Sequence, residues 1–136
     1  MLIRNDFYGK RWVYTSGMEN TVNIPDVVMD EALLDKSKTF MLMHNHLTDS
    51  SFSAKDIQTF MNMNWIRYLF VITNSCRYIG AVGKTKVFDT DEHRKIWRHI
   101  FEFSAKHNLW GHDSGIPLIH DLHNLGLLEY IWFKNY

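Results

Sequence analysis

Cysteine is nearly absent from this chain: Cys76 stands alone among 136 residues. One cysteine cannot close an internal disulfide, and it rules out a thiolate-rich zinc site, including the Cys-x-x-Cys pair of the nucleobase deaminases. Any metal would have to be held by His, Asp or Glu. Seven glycines and two prolines are too few for a collagen-like, disordered or low-complexity chain. Neither sign of charge is in excess, since 15 basic residues face 15 acidic ones. General attraction to phosphate or anionic lipid is therefore not expected, and neither nucleic acid nor a membrane is an expected partner. No apolar run approaches the roughly 18 residues of a membrane span. Residues 1–6 (MLIRND) lack the basic start and apolar stretch of a signal peptide, so a cytoplasmic, thiol-reducing compartment is the expectation.

What the chain does have is apolar mass: 46% of its residues are hydrophobic and 15% aromatic. At this length that supports one core and one domain over residues 1–136, not two. Residues 10–15 (KRWVYT) and 21–24 (TVNI) read as two short strands around a turn at Ser16-Gly17. Pro25 suits the first turn of a helix over residues 26–36, with Val27, Met29, Leu33 and Leu34 available for its buried face. Residues 39–43 (TFMLM) form an apolar run ending at His44, the pattern of a strand buried on both faces. Ser53 opens a helix over residues 53–62. Residues 68–73 (YLFVIT) read as a strand that Asn74-Ser75 turns into residues 77–82 as an antiparallel hairpin.

Residues 91–107 carry Ile96, Trp97, Ile100, Phe101 and Ser104 at helical spacing, with acids at the start and Lys106 and His107 at the end, matching the helix dipole. Residues 111–115 read as a loop, 118–124 as a short helix and 128–133 as a closing strand. This alternation predicts an α/β (α+β) domain with a central mixed sheet flanked by helices. The strands at 39–43 and 68–73 should be parallel neighbours at its centre, because one crossover helix lies between them.

The segment with chemical content is His44-Asn45-His46, followed by a polar loop and then Ser53-Ala54-Lys55-Asp56. Side chains two apart on a strand point the same way, and an acid in the first turn of the next helix can swing back toward them. Two imidazoles and one carboxylate with a fourth position open are the ligand set of a catalytic zinc site. Ser53-x-x-Asp56 also fits a capping box, in which the serine and the acid serve only the helix end. The residues alone leave both readings open.

The run HNH-x6-S-x2-D after an apolar strand resembles the metal motif of the JAB/MPN (JAMM) metalloproteases, and its HNH wording is most similar to their bacterial and phage RadC-like branch. The resemblance spans residues 15–82, with the metal motif at 44–56; residues 84–136, the C-terminal helices and closing strand, fall outside it. It departs from the usual pattern in having Leu47 where the family has proline, and a loop one residue shorter. The resemblance implies that His44, His46 and Asp56 bind Zn2+, that Ser53 polarises the scissile carbonyl, and that an upstream acid is the general base. Glu19 is the first candidate for that base, with Glu31 and Asp6 behind it. The implied activity is a zinc metallopeptidase or isopeptidase acting on a protein or peptide. The alternatives are an inactive JAB-like binding module of phage or mobile-element origin and a toxin-like effector domain.

Other residues point less far. His120 and His123 lie three apart on the short helix and could bind a metal, although a polar helix face is the simpler reading. His93, His99 and His107 read as solvated or capping. The five tryptophans read as core, with Trp65 a candidate wall of a substrate groove. Cys76 has no histidine at nucleophile spacing. The dispersed HNH motif of the nucleases matches in spelling only.

Overall fold

Among the described residues, short strands that could not bury a face alone pair into a six-stranded sheet, with four helices between them. The computed structural model describes residues 2–4, 12–14, 24, 26–34, 40–107 and 113–134. In chain order the elements are β1 (Leu2–Arg4), β2 (Trp12–Tyr14), α1 (Asp26–Leu34), β3 (Phe40–His46), α2 (Ala54–Asn62), β4 (Ile66–Thr73), β5 (Tyr78–Lys84), α3 (Thr90–Lys106), α4 (Gly115–Asn124) and β6 (Leu128–Lys134). The strand order is β2-β1-β3-β4-β5-β6. Among the described residues only β3 and β4 are parallel, and they occupy the sheet centre, as the crossover through α2 requires. The fold is thus mixed α/β. Among the described residues no helix is long and apolar enough to cross a membrane.

Register explains the core. Leu42, Leu69 and Val82 lie abreast on β3, β4 and β5, and all three are buried. They share one cluster with Ile57, Phe60 and Met61 of α2, Ile96, Ile100 and Phe103 of α3, and Leu118, Ile119 and Leu122 of α4. On α3 the buried stripe runs through Ile96, Ile100 and Phe103; Phe101, placed on the apolar ladder by spacing, is 72% exposed.

Several boundaries differ from the sequence expectation. β2 pairs with β1, a strand too short to show any periodicity. Of the expected strand at 21–24, Ile24 is not in a strand and the rest lies outside the described residues. The buried face of α1 also differs: Leu33 and Leu34 are 71% and 87% exposed, whereas Val28 is buried. The apolar residues of α1 fall all round the helix between Asp26, Asp30 and Glu31, so no single stripe selects a face. α4 begins at Gly115 rather than 118, because Pro117 in the first turn gives up an N–H that has no helical acceptor there. Trp65 packs edge-on against Phe40, at the opposite end of β3 from the histidines, and so does not wall the site.

Lys84 ends β5 with its ammonium inside the protein, the residue being 5% exposed. Its Nζ donates to the carbonyls of Met63 and Ile66 at 2.6 and 2.8 Å and sits 4.6 Å from the Phe60 ring centroid. It thereby ties the end of α2 to the start of β4. Burial pulls its pKa down to about 7. Above that pH the folded protein gives up a proton that the unfolded chain keeps until about 10.4. Stability should therefore rise with pH across this window, by up to about 1.4 kcal/mol per unit. Below it both states are protonated and the contribution is flat. Lys84→Met should abolish the slope in urea unfolding measured at a series of pH values; a slope unchanged in the variant would assign it to other groups.

Candidate metal centre

β3 carries the two histidines to its C-terminal end, where the period of two turns both rings to the face covered by α2. Asn45, between them, faces the other way and donates to Asn74 Oδ1 at 2.9 Å. The His44 and His46 Nε2 atoms lie 2.9 Å apart. Asp56 completes the group, its Oδ1 3.6 Å from His44 Nε2 and its Oδ2 3.4 Å from His46 Nε2. Donors about 2.1 Å from a tetrahedral metal stand about 3.4 Å from one another. Each imidazole has a carboxylate oxygen near that spacing, Oδ1 for His44 and Oδ2 for His46, and the imidazole pair is about half an ångström too close. His44, His46 and Asp56 could hold a metal ion, and among the described residues this is the only such group of three.

The capping reading is correct. Ser53 Oγ accepts from the Asp56 amide at 3.1 Å, and Asp56 Oδ2 accepts from the Ser53 amide at 2.8 Å, a complete capping box. Ser53 Oγ donates to the same Oδ2 at 2.9 Å. One carboxylate serves both purposes: Oδ2 is held by the helix end and faces His46, and Oδ1 is turned toward His44. The cap therefore orients the acid.

His46 is oriented in the same way. Its Nδ1 lies 3.1 Å from the carbonyl of Ser50; a carbonyl can only accept, so Nδ1 carries the proton and Nε2 is the atom left for a metal. Electrostatics sort the protons further. Burial drives the pKa of His44 down to about 4, against the pull of Asp56. For His46 burial acts in the same direction but is outweighed by the hydrogen bond and charge of Asp56 and by the Ser50 carbonyl, so its pKa is raised. Asp56 is held below the usual carboxylate range: burial opposes this, and the hydrogen bond to His46, the charge of His44 and the Ser53 amide prevail. At pH 7 the group offers a neutral imidazole and an ionised carboxylate, the donor states a cation needs, and a cation would displace the proton that His46 favours.

The loop between the histidines and α2 is tied down on two sides. On the hairpin side, the Asn74 amide donates to the His46 carbonyl at 2.9 Å, Ser75 Oγ bonds to Asp49, and Arg77 pairs with Asp49 at 3.7 Å. On the α4 side the partners are Asp113, Ser114 and Gly115. Nothing in the sequence beyond turn chemistry marks these three residues.

Glu19 and Asp6 lie outside the described residues, as does the Glu31 side chain, although Glu31 itself falls within α1. His120 stacks on Tyr130, His123 Nδ1 bonds to the Leu128 carbonyl at 3.0 Å, and among the described residues these two belong to no group of three metal-capable side chains. His93 and His107 bond to the carbonyls of Met61 and Phe103 near helix ends. Cys76 is exposed in the β4–β5 turn. Compared with protein-family models, with curated proteins and with solved structures, the chain finds no significant match in any of the three.

Proposed function

We propose that the protein is a zinc-dependent hydrolase of amide or isopeptide bonds, a metallopeptidase or isopeptidase of the JAB/MPN kind acting on a protein or peptide in the cytoplasm. The observation that carries this reading is the convergence of His44, His46 and Asp56, each fixed by its own supporting hydrogen bond or burial. Two nitrogen donors and one oxygen donor suit zinc and leave a fourth position for chemistry. Bound there, zinc supplies a water acidified to a pKa of about 7 and a Lewis acid for the scissile carbonyl.

The chain's own residues do the rest. His44 and His46 contribute neutral nitrogens, and Asp56 contributes the negative charge. The Ser53 hydroxyl, which donates to Asp56 Oδ2, is the donor that would turn to the carbonyl oxygen of a substrate as negative charge develops there. Glu19 is the proposed general base.

The test is hydrolysis by the zinc-loaded protein of a panel of peptide and isopeptide-linked substrates, with products read by mass spectrometry. Wild type should cleave, and Glu19→Gln should keep its zinc while losing about 10²- to 10⁴-fold in rate. Equal rates would move the base to Glu31 or Asp6. A zinc-loaded wild type that cleaves nothing would favour the inactive binding module instead.

A further inference from the structure

We propose that Asp113, Ser114 and Gly115, far from the motif in sequence, are positioning residues of the metal site: they fix residues 51–54, and through them the placement of Asp56 opposite the two histidines. The proposal rests on the metal reading above and extends it to the part of the chain that the family resemblance does not cover.

Three consecutive residues of one turn make three hydrogen bonds to the motif loop. Asp113 Oδ1 accepts from the Ser51 amide at 2.5 Å. Ser114 Oγ accepts from the Ala54 amide at 2.9 Å. The Gly115 amide donates to the Phe52 carbonyl at 3.0 Å. The Ser53 amide, in the middle, is held by Asp56 itself. The backbone leading into Asp56 is thus held at every residue from 51 to 54, and three of the four tethers come from residues 113–115, where the chain enters α4.

All three contacts depend on the residue present, since Asp113 and Ser114 accept through their side chains and Gly115 has no room for a Cβ. Ala54 is the first residue of α2, so its N–H has no acceptor within the helix, and Ser114 supplies one from across the fold. Gly115 is where two backbones meet: a Cβ there would lie 2.6 Å from the Phe52 carbonyl oxygen and 2.7 Å from that of Ser53. Backbone atoms so placed cannot yield as a flexible side chain would, so any other residue pushes the loop away from α4. Asp113 adopts a left-handed φ of +57°, a conformation that Asp tolerates better than most residues. What this turn holds is therefore the segment whose displacement would move Oδ1 of Asp56 relative to His44.

The test compares zinc affinity, by competition with a chromophoric chelator, and the cobalt(II) absorption spectrum across wild type, Asp113→Ala, Asp113→Asn, Ser114→Ala and Ile96→Val. Supporting contacts of this kind are worth about 10- to 100-fold in metal affinity. Asp113→Ala and Ser114→Ala should each lose that much and shift the cobalt spectrum. Asp113→Asn, which keeps an oxygen to accept from Ser51, should recover most of the affinity. Ile96→Val, a core change away from the site, should lower thermal stability without moving either readout. The proposal is overturned if wild type binds zinc and both alanine variants bind it as tightly, or if Ile96→Val loses as much affinity as they do. A wild type that binds no zinc would overturn the metal reading itself and this proposal with it.

Discussion

Zinc should raise the unfolding temperature of the wild-type protein and leave that of His46→Ala unchanged. A ligand that binds only the folded state stabilises it by about 2.7 kcal/mol at a hundredfold excess over its Kd. In the variant that term should vanish, because alanine removes the imidazole that the Ser50 carbonyl orients. The same change removes the hydrogen-bonding partner that helps keep Asp56 ionised. Loss of a ligand should exceed the roughly 10- to 100-fold penalty for loss of a supporting contact. Dialysis against a chelator should return wild type to its own unfolding temperature without zinc. An equal zinc-induced shift in both proteins would place the binding elsewhere.

The second large effect concerns the loop between the histidines and Asp56. Phe52 is the apolar anchor of that loop: it is fully buried, and its ring centroid lies 5.6 Å from that of Trp132. β5 makes room for it with Gly80, where a Cβ would come within 2.9 Å of Phe52 Cε2. Phe52→Ala empties this seat and should cost about 3–5 kcal/mol in denaturant unfolding. It should also weaken zinc binding in whatever fraction remains folded, since the loop loses its hold on the sheet between His46 and Ser53. A loss below about 1 kcal/mol would mean that the loop collapses onto the vacated space instead.

The candidate ligands were legible because their geometry is local. Two histidines two apart on a strand share a face whatever the rest of the chain does, and Ser53-x-x-Asp56 announces a helix start. The parallel pairing of β3 and β4 followed from one crossover helix between two apolar runs. What stayed hidden depends on distant partners. Asp113-Ser114-Gly115 reads only as a turn, and the loop it holds lies about 60 residues earlier in the chain. Lys84 follows Gly83, a pair that marks a strand's end, yet β5 continues through both because the Met63 and Ile66 carbonyls receive the ammonium. The burial of Val28, in place of Leu33 and Leu34, is set by what α1 packs against, which apolar residues spread all round the helix cannot encode. The general base, assigned by resemblance to Glu19, falls outside the described residues.

Whether His44, His46 and Asp56 hold one zinc ion is decided by anomalous diffraction at the zinc absorption edge from crystals of the zinc-loaded protein. A single strong peak should lie about 2.0–2.2 Å from His44 Nε2, His46 Nε2 and a carboxylate oxygen of Asp56. A peak at His120 and His123, or none at all in zinc-saturated crystals, would contradict it.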